Sequence, residues 1–435
     1  MDWSDEPQTA IHNMKLRAFH LLLLLGGLAS PSHSAETLSV VPDSAQALAT
    51  PGGRFANLRD ASAVRVSPAN ILEIQQTELL LNTAMWNGDI RFNSTNGASV
   101  KMSESWIFPG SLYLVVPVKP GRLAFGIGVS TPFGMASKYP KDMDPRLRYS
   151  LPYESSLLAV DITPAVAFKV TDSLSVAAGL DIIYSKLSIK RAYPWGALPG
   201  LAGTPDGSIE FQGDGWGLGA YMGVNWEIFK GHRLALVGRL PVTINYEGEF
   251  KAQGMPVGTP TINALGATPT SRFGSDMTFP GSIGLGYGID LTERLTVGFD
   301  FQWTNNSSHD DIPLFIGNNQ PLLAGTNRAV LAWKDSIDLG TGVSYELDKN
   351  WTLRCGYLFS ENSQPELNYT PAVATNDRHI FGVGAGWRGK KRSLDLAYAF
   401  VYNPIRTISG AADPAFNGSY KHQWHVLSLS FTQRF

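Results

Sequence analysis

Large apolar side chains alternate with small or polar ones along most of this sequence, from about residue 76 to its end. The pattern is clear in "RLTVGFDFQWT", "WTLRCGYLFS", "SLDLAYAFVY" and the closing "HVLSLSFTQRF". A period of two residues places the apolar side chains on one face of a strand and the polar ones on the other. The chain is therefore predicted to be all-β, with strands that each have one strongly apolar face.

The composition of the two faces indicates what covers the apolar one. A β-sandwich packs its bulky faces against each other and exposes polar outer faces. Here only 17% of residues are charged, 44 are glycine, and the faces opposite the apolar ones hold Gly, Ser, Asp and Arg, which suit a wet or polar lumen. Trp and Tyr fall near strand ends, as in the girdles of membrane barrels. We therefore predict a transmembrane antiparallel β-barrel in the outer membrane of a Gram-negative cell, with lipid covering the apolar face.

The lengths of the connections support the same fold. Short links such as "DLTER" and "LDKN" alternate with long ones, for example near 248–273 and 306–329. Outer-membrane barrels have tight periplasmic turns, long outer loops and an even number of strands. The sequence predicts about 14 strands, with both ends of the barrel on the periplasmic side.

Three regions are expected along the chain. Residues 1–35 have the pattern of a secretory signal, in which Lys15 and Arg17 precede an apolar run that ends in small residues, and Met14 is an alternative start. Residues 36–75 are rich in Ala, Ser and Pro and weak in strand pattern, so we interpret them as an N-terminal hatch, or plug. Residues 76–435 form the barrel.

The sequence gives little support to other classes of function. With a net charge of −2 it has no basic excess for nucleic acid. It contains no Gly-x-Ser-x-Gly nucleophile elbow, and the lone Cys355 lies mid-strand on an apolar face. His309, Asp310 and Asp311 stand together, but in a stretch with loop composition. We expect no catalytic residues, no cofactor and no metal.

Several stretches resemble one known family in the order in which they occur. They are "DASAVRVSPANILEI" before the first strand, "GRLAFGIGVSTPFG" at the third, and later "WKDSIDLGTGVSYELDKNWTLRCGYLFSENSQPE" and "NDRHIFGVGAGWRGKKRSLDLAYAFVY". From about residue 40 to the end, the chain resembles the FadL-type outer-membrane transporters of long-chain fatty acids and aromatic hydrocarbons. The hatch motif is Ser67-Pro68-Ala69, in which Ser67 stands where the family usually has Asn and reaches less far.

The resemblance implies a passive function. A monomeric barrel of fourteen strands, plugged by the hatch, would capture an apolar molecule between outer loops and release it sideways into the membrane. Release would pass through a kink in the third strand, for which Gly126, Gly128 and Gly134 are the candidates. Phe435 would lie at the periplasmic rim, where the barrel assembly machinery reads an aromatic end. Partners are thus hydrophobic cargo, outer-membrane lipids and that machinery.

Candidate cargo-binding residues lie in the long connections and along the lumen. Aromatic and apolar residues of the third and fourth outer loops could form a capture groove, because exposed apolar patches usually bind something: Tyr193, Trp195, Leu198, Leu201, Phe211, Phe250 and Met255. A carboxylate head group would need a cation, with Lys190, Arg191 and Arg354 as candidates, whereas a neutral aromatic cargo would need none. The lumenal residues Asp161, Asp181, Asp300, Asp338, Asp395 and Arg354 could guide a carboxylate, but we expect them to pair with one another and to satisfy the polar groups of the wall.

Two alternatives remain open at this point. A general diffusion porin would need an open lumen, which the N-terminal segment argues against. A lipase-type outer-membrane enzyme would need a Ser-His pair on an outer strand surface, and the sequence indicates none. Large steady conductance in a planar bilayer would favour the porin.

Overall fold

A computed structural model describes residues 43–103, 106–308 and 310–435. It is a closed antiparallel barrel of 14 strands, which confirms the predicted fold class. The strands are β1 Glu78–Ser94, β2 Gly110–Lys119, β3 Leu123–Lys138, β4 Glu154–Lys169, β5 Leu174–Tyr193, β6 Gly207–Phe229, β7 His232–Arg239 with Val242–Gln253, β8 Thr270–Phe279 with Ser282–Asp290, β9 Leu295–Thr304, β10 Ser336–Glu346, β11 Trp351–Ser360, β12 Arg378–Arg388, β13 Arg392–Tyr402 and β14 Gly418–Arg434.

The first and last strands close the barrel. β1 pairs with β14 along its whole length, from Glu78 opposite Arg434 to Ser94 opposite Gly418. Proline, which lacks a backbone N–H, interrupts β7 at Pro241 and β8 at Pro280. Short strands extend the wall: Ser99–Lys101 and Trp106–Ile107 pair with β1, Arg406–Ile408 pairs with β14, and Asp311–Pro313 pairs with Arg328–Val330 within a loop.

Side chains on successive strand positions point alternately outwards and inwards. Phe299 is 50% exposed while its neighbour Asp300 is buried, and Leu285 and Leu396 are exposed in the same way. Six short turns connect strands at the end where Glu78 and Arg434 lie, and seven longer loops connect them at the other end. The outward band of large apolar side chains is the surface that a bilayer covers.

Short helices lie inside the barrel and in the long loops. The hatch contains the α-helices Ala45–Ala49 and Ala63–Val66 and the 3-10 helix Pro68–Glu73. The loops carry the α-helices Pro145–Arg148 and Pro260–Leu265, and the 3-10 turns Trp195–Ala197, Asn306–Ser308, Gly317–Leu323, Pro371–Val373 and Pro414–Phe416. Across the described ranges, no helix is both long and apolar enough to cross a membrane. The predicted export signal, residues 1–35, and the first part of the predicted hatch lie outside the described residues.

Glycines of β9 to β12 lie directly against the hatch backbone. A Cβ atom on Gly52 would lie 2.2 Å from the backbone nitrogen of Thr341, and one on Gly356 would lie 2.7 Å from Cδ of Pro51. These distances are too short for any side chain. In this part of the wall, the small residues that suit a wet or polar lumen make room for the hatch.

Candidate functional site

The hatch motif is held by a neighbouring residue that was not predicted from the sequence. Ser67 is buried, and its Oγ has no hydrogen-bond partner among the described residues. Asn70, one residue after the motif, donates from Nδ2 to the carbonyl oxygens of Phe55 (3.0 Å) and Leu58 (3.2 Å). The wall residue Asn225 donates from Nδ2 to Oδ1 of Asn70 at 2.6 Å. A lone Asn in the otherwise apolar stretch "PANIL" was the available signal.

Buried ion pairs attach the hatch to the wall. Arg65, in the hatch, lies 3.7 Å from Asp161 of β4, measured between a guanidinium nitrogen and a carboxylate oxygen, and it also pairs within the hatch with Asp43 at 3.3 Å. The backbone N–H of Arg54 donates to Asp300 at 2.6 Å. Asp161 and Asp300 thus bind hatch groups, whereas the sequence predicts that the lumenal set pairs with one another and satisfies the polar groups of the wall.

Other parts of the lumenal set bind within the wall. Arg354 Nη1 donates to Asp395 Oδ1 at 2.7 Å, a pair of the kind predicted. Arg239, which the sequence analysis did not select, pairs with Asp181 and also donates to the carbonyl oxygen of Arg65 at 2.9 Å. It therefore links the wall charges to the hatch.

Asp60, in the hatch, is a buried carboxyl in a polar pocket that Glu78, Arg354 and Arg434 also line. Burial raises its pKa from 3.8 to about 6, partly opposed by hydrogen bonds from Ser62 and Ser44. The hatch therefore contains a group that binds a proton more tightly when the hatch is docked.

The seven predicted capture residues lie together at the loop end of the barrel. Trp195, Leu201, Phe211, Phe250 and Met255 belong to one buried apolar cluster, and Tyr193 and Leu198 pack against it. Hydrogen bonds fix their loops: Trp195 Nε1 donates to Gln253 O at 3.1 Å, and Tyr193 Oη donates to Leu322 O at 3.0 Å. The cluster is closed over, since Trp195 and Phe250 are fully buried.

The same cluster extends from the loop end of the barrel to the third strand. Its members away from the loops include Phe133 of β3 and Phe279 of β8, whose rings stack at a centroid distance of 4.5 Å. Leu322 and Trp333, from the loop between β9 and β10, also belong to it. None of these four was selected from the sequence. They connect the outer loops to the wall by an unbroken run of apolar contacts.

The wall is irregular beside Phe133. β3 pairs with β4 at Ser130–Asp161 and again at Phe133–Ala159, so three steps along β3 face two steps along β4. On the other side, the pairing of β2 with β3 ends at Leu112–Val129. Among the described residues, the next backbone hydrogen bond on this edge of β3 comes from Ser103 N, in the segment before β2, to Lys138 O at 2.7 Å. The result is an opening in the ladder between β2 and the upper part of β3.

The three predicted kink glycines lie near this opening. Gly126 and Gly128 pair regularly with Ala165 and Thr163. A Cβ on Gly126 would lie 2.4 Å from Cγ2 of Val64 in the hatch. Gly134 lies directly above the register shift and pairs with Leu158. The shift itself contains Pro132, which cannot donate to the ladder; proline within "STPFG" was the signal for it.

A cavity of about 130 Å³ lies behind the opening. Phe133 and Leu358 form apolar parts of its lining, and Arg54, Arg65 and Arg239 form polar parts. The hatch therefore provides the floor of a cavity that the apolar cluster borders from the loop side.

The three predicted head-group cations have different surroundings. Arg354 is paired with Asp395, as described above. Lys190 shares the outer face of β5 with Lys186 and pairs with Glu154 at 3.1 Å. Arg191 is on the inner face, opposite the buried Ile209 of the apolar cluster. No hydrogen bond or ion pair of the Arg191 side chain occurs among the described residues, so of the three it is the cation best placed to meet an incoming anion.

An apolar-coated barrel with an internal plug, a buried apolar cluster and an opening in its wall belongs to the class of outer-membrane transport barrels. Comparison with known proteins agrees. The family "Outer membrane protein transport protein (OMPP1/FadL/TodX)" matches residues 28–435. The chain belongs to this family and is located in the outer membrane, as predicted. Its relatives are transport and channel proteins, in agreement with a function in transport rather than catalysis.

Individual relatives are distant but similar over most of their length. The chain is 20% identical to the long-chain fatty acid transport protein of Escherichia coli O6:H1 over 380 residues, covering 80% of this chain and 81% of that protein. It is 22% identical to outer membrane protein P1 of Haemophilus influenzae, covering 97% and 99%.

Two solved structures share the fold. A Pseudomonas aeruginosa FadL homologue has a TM-score of 0.79 at 19% identity, covering 92% of this chain and 100% of that one. The toluene transporter TodX of Pseudomonas putida has a TM-score of 0.68 at 16% identity, covering 92% and 99%. At this identity the likeness concerns the fold alone.

Proposed function

We propose that the protein takes up long-chain fatty acids, or similar apolar molecules with a carboxylate, and releases them sideways into the outer membrane. The observation that carries the proposal is the opening between β2 and β3 next to a continuous apolar cluster. Support also comes from a relative named as a long-chain fatty acid transport protein.

The route has three stages. The loops that bear Trp195 and Met255 separate, and the apolar cluster receives the hydrocarbon chain. The chain moves down to Phe133 and the cavity above the hatch. It then leaves through the opening into the bilayer. Each Å² of apolar surface kept out of water along this path saves about 25 cal/mol. A lateral exit therefore avoids exposing the hydrocarbon chain to the polar surroundings of the lumen on the periplasmic side.

The opening is suited to passage through a lipid-facing wall. Unpaired backbone groups at membrane depth are tolerated only where protein or a cavity lines them. Here Phe133 is buried behind the opening, while Trp106 and Phe108 are exposed on the β2 side with their ring centroids 6.5 Å apart. These aromatic side chains provide an apolar border on the lipid side.

A carboxylate cargo is favoured by Arg191. An arginine facing an apolar cluster without an anionic partner among the described residues is poorly compensated. A bound carboxylate would accept two parallel hydrogen bonds from the guanidinium. A neutral aromatic hydrocarbon, the alternative cargo, would leave this cation unpaired.

Uptake and conductance of the reconstituted protein test the proposal together. In liposomes, the protein should speed entry of a fluorescent long-chain fatty acid and leave a polar sugar outside. In a planar bilayer it should show no large steady conductance, because the hatch fills the lumen. Sugar entry with steady channels would instead identify a general porin, and fatty-acid entry at the rate of empty liposomes would overturn the proposal.

A further inference from the structure

Three cations lie side by side on the outer surface of the barrel, at the seam between its first and last strands. Arg91 of β1 is directly opposite Lys101 on one side and Lys421 of β14 on the other. The side chains of Arg91 and Lys101 are 51% and 61% exposed. We refer to Lys101, Arg91 and Lys421 as the seam cation row.

The row is only partly neutralised by its own neighbours. Asp89 Oδ1 lies 2.9 Å from Arg91 Nε and 3.4 Å from Lys101 Nζ. One carboxylate against three cations leaves an excess of two positive charges among the described residues. Like charges directly opposite each other destabilise a sheet, so the arrangement calls for an anion from outside the chain.

Rows of charged residues across neighbouring strands on another part of the outer wall have a different arrangement of charges. Glu154, Lys190, Glu210 and Lys251 follow one another across β4 to β7, and their charges alternate in sign. In the next rows, Lys186 is opposite Asp214 and Arg272 is opposite Glu249. These surfaces satisfy their charges internally, which the seam cation row does not.

The row lies just beyond the aromatic band. Asn87, four residues below Arg91 on the same outer face, is opposite Trp106 on one side and His425 on the other. Four residues correspond to roughly 13 Å along a strand. Exposed aromatic side chains mark the edge of the hydrocarbon layer, so the row is at the depth of lipid head groups. Exposed Leu81, Leu427 and Leu429 lie below it, where acyl chains pack.

We propose that the seam cation row binds the phosphate head group of an anionic membrane lipid. Arg91 can donate two parallel N–H bonds to phosphate oxygens, and the flanking lysines act as point charges. The ligand is a lipid rather than free phosphate because the site faces the bilayer and continues into the apolar surface below. This binding is separate from cargo transport and does not depend on it.

Retention of lipid by the purified, folded protein tests the proposal. The probe is a mixed micelle with equal parts of phosphatidylglycerol and phosphatidylcholine, and native mass spectrometry measures the ratio of the two lipids retained. We compare the wild-type chain with the triple variant Lys101→Gln, Arg91→Gln, Lys421→Gln. Removing three cations should lower the retained ratio by at least about fivefold, the effect expected of even one cation near a membrane surface.

A matched control carries the same loss of charge elsewhere on the outer face. Lys186, Lys251 and Arg272 each lie opposite an acid, and their triple change to Gln should leave the ratio as in the wild type. An equal loss in both triple variants, or none in the seam variant, overturns the proposal. Displacement of the lipid by millimolar inorganic phosphate would also overturn it, since the site would then bind phosphate alone. If the seam triple does not fold, the single change Lys421→Gln replaces it, with Lys251→Gln as its control, and loss is expected only in the former.

Discussion

Lys190 and Arg191 are adjacent in β5 but face opposite sides of the wall. Lys190 is paired with acids on the outer face, and Arg191 points inwards at the apolar cluster. The sequence places both residues among the head-group candidates. Alternation shows that two neighbours face opposite sides of the wall, but it does not show which acids or apolar groups surround each of them. Strand pairing supplies that information.

Replacing Arg191 with Gln should weaken uptake of a long-chain fatty acid about tenfold, because a charge-assisted bond to the carboxylate contributes on the order of 1.5–3 kcal/mol. Uptake of the corresponding uncharged methyl ester should stay unchanged. Lys190→Gln is the control and should affect neither. Initial rates in liposomes measure the effect; equal rates for the acid in wild type and Arg191→Gln would remove Arg191 from cargo recognition.

Asp60 makes docking of the hatch depend on pH. Its pKa is about 6 in the docked hatch and would return towards 3.8 in a released, hydrated one. The docked state then binds more protons between about pH 4 and 6, so docking weakens as pH rises through this window. Between pH 5 and 7 the loss is on the order of 1 kcal/mol.

Hydrogen exchange of residues 43–75, corrected for intrinsic rates, should therefore be slower at pH 5 than at pH 7. Asp60→Asn should remove most of this difference, while Asp142→Asn, in an exposed outer loop, should preserve it. Protection that stays equal at the two pH values in the wild type would contradict the assignment.

At the scale of the element, the hatch is defined by how closely its backbone approaches the wall. The sequence predicts the element from its weak strand pattern, and its motif from the resemblance. It does not show that the glycines of β9 to β12 serve this contact, because glycines on an inner face are equally compatible with water. Only the close approach of Gly52 to Thr341, and of Pro51 to Gly356, in the structure reveals that these glycines contact the hatch.

Gly52→Ala should loosen the hatch, because its Cβ would lie 2.2 Å from a backbone nitrogen that belongs to the sheet. Entry of a small polar dye into liposomes should rise severalfold over wild type. Gly238→Ala is the control, since a Cβ there meets nothing closer than Met222 Cγ at 3.8 Å. A barrel with Gly52→Ala that excludes the dye as the wild type does would show that this contact does not seal the lumen.

At the scale of the whole molecule, the fold could be predicted almost completely from the sequence. Alternation specifies which face meets lipid, and the number and lengths of the connections specify an even, closed barrel. The location of the wall irregularity could not be predicted as well: the resemblance implies a kink in the third strand, with three glycines as candidates, but the register shift lies at Thr131 and Pro132 and depends on the register against β4. Register is a property of two strands and cannot be read from one.

Deletion of Pro132 tests the lateral route most directly. It removes the one extra residue between Ser130 and Phe133, so that β3 can pair with β4 without a shift and both side chains still face inwards. We predict a folded, inserted barrel that excludes polar solutes as before and loses most of its fatty-acid uptake, at least tenfold in initial rate. Uptake at the wild-type rate through this straightened wall would contradict release between β2 and β3.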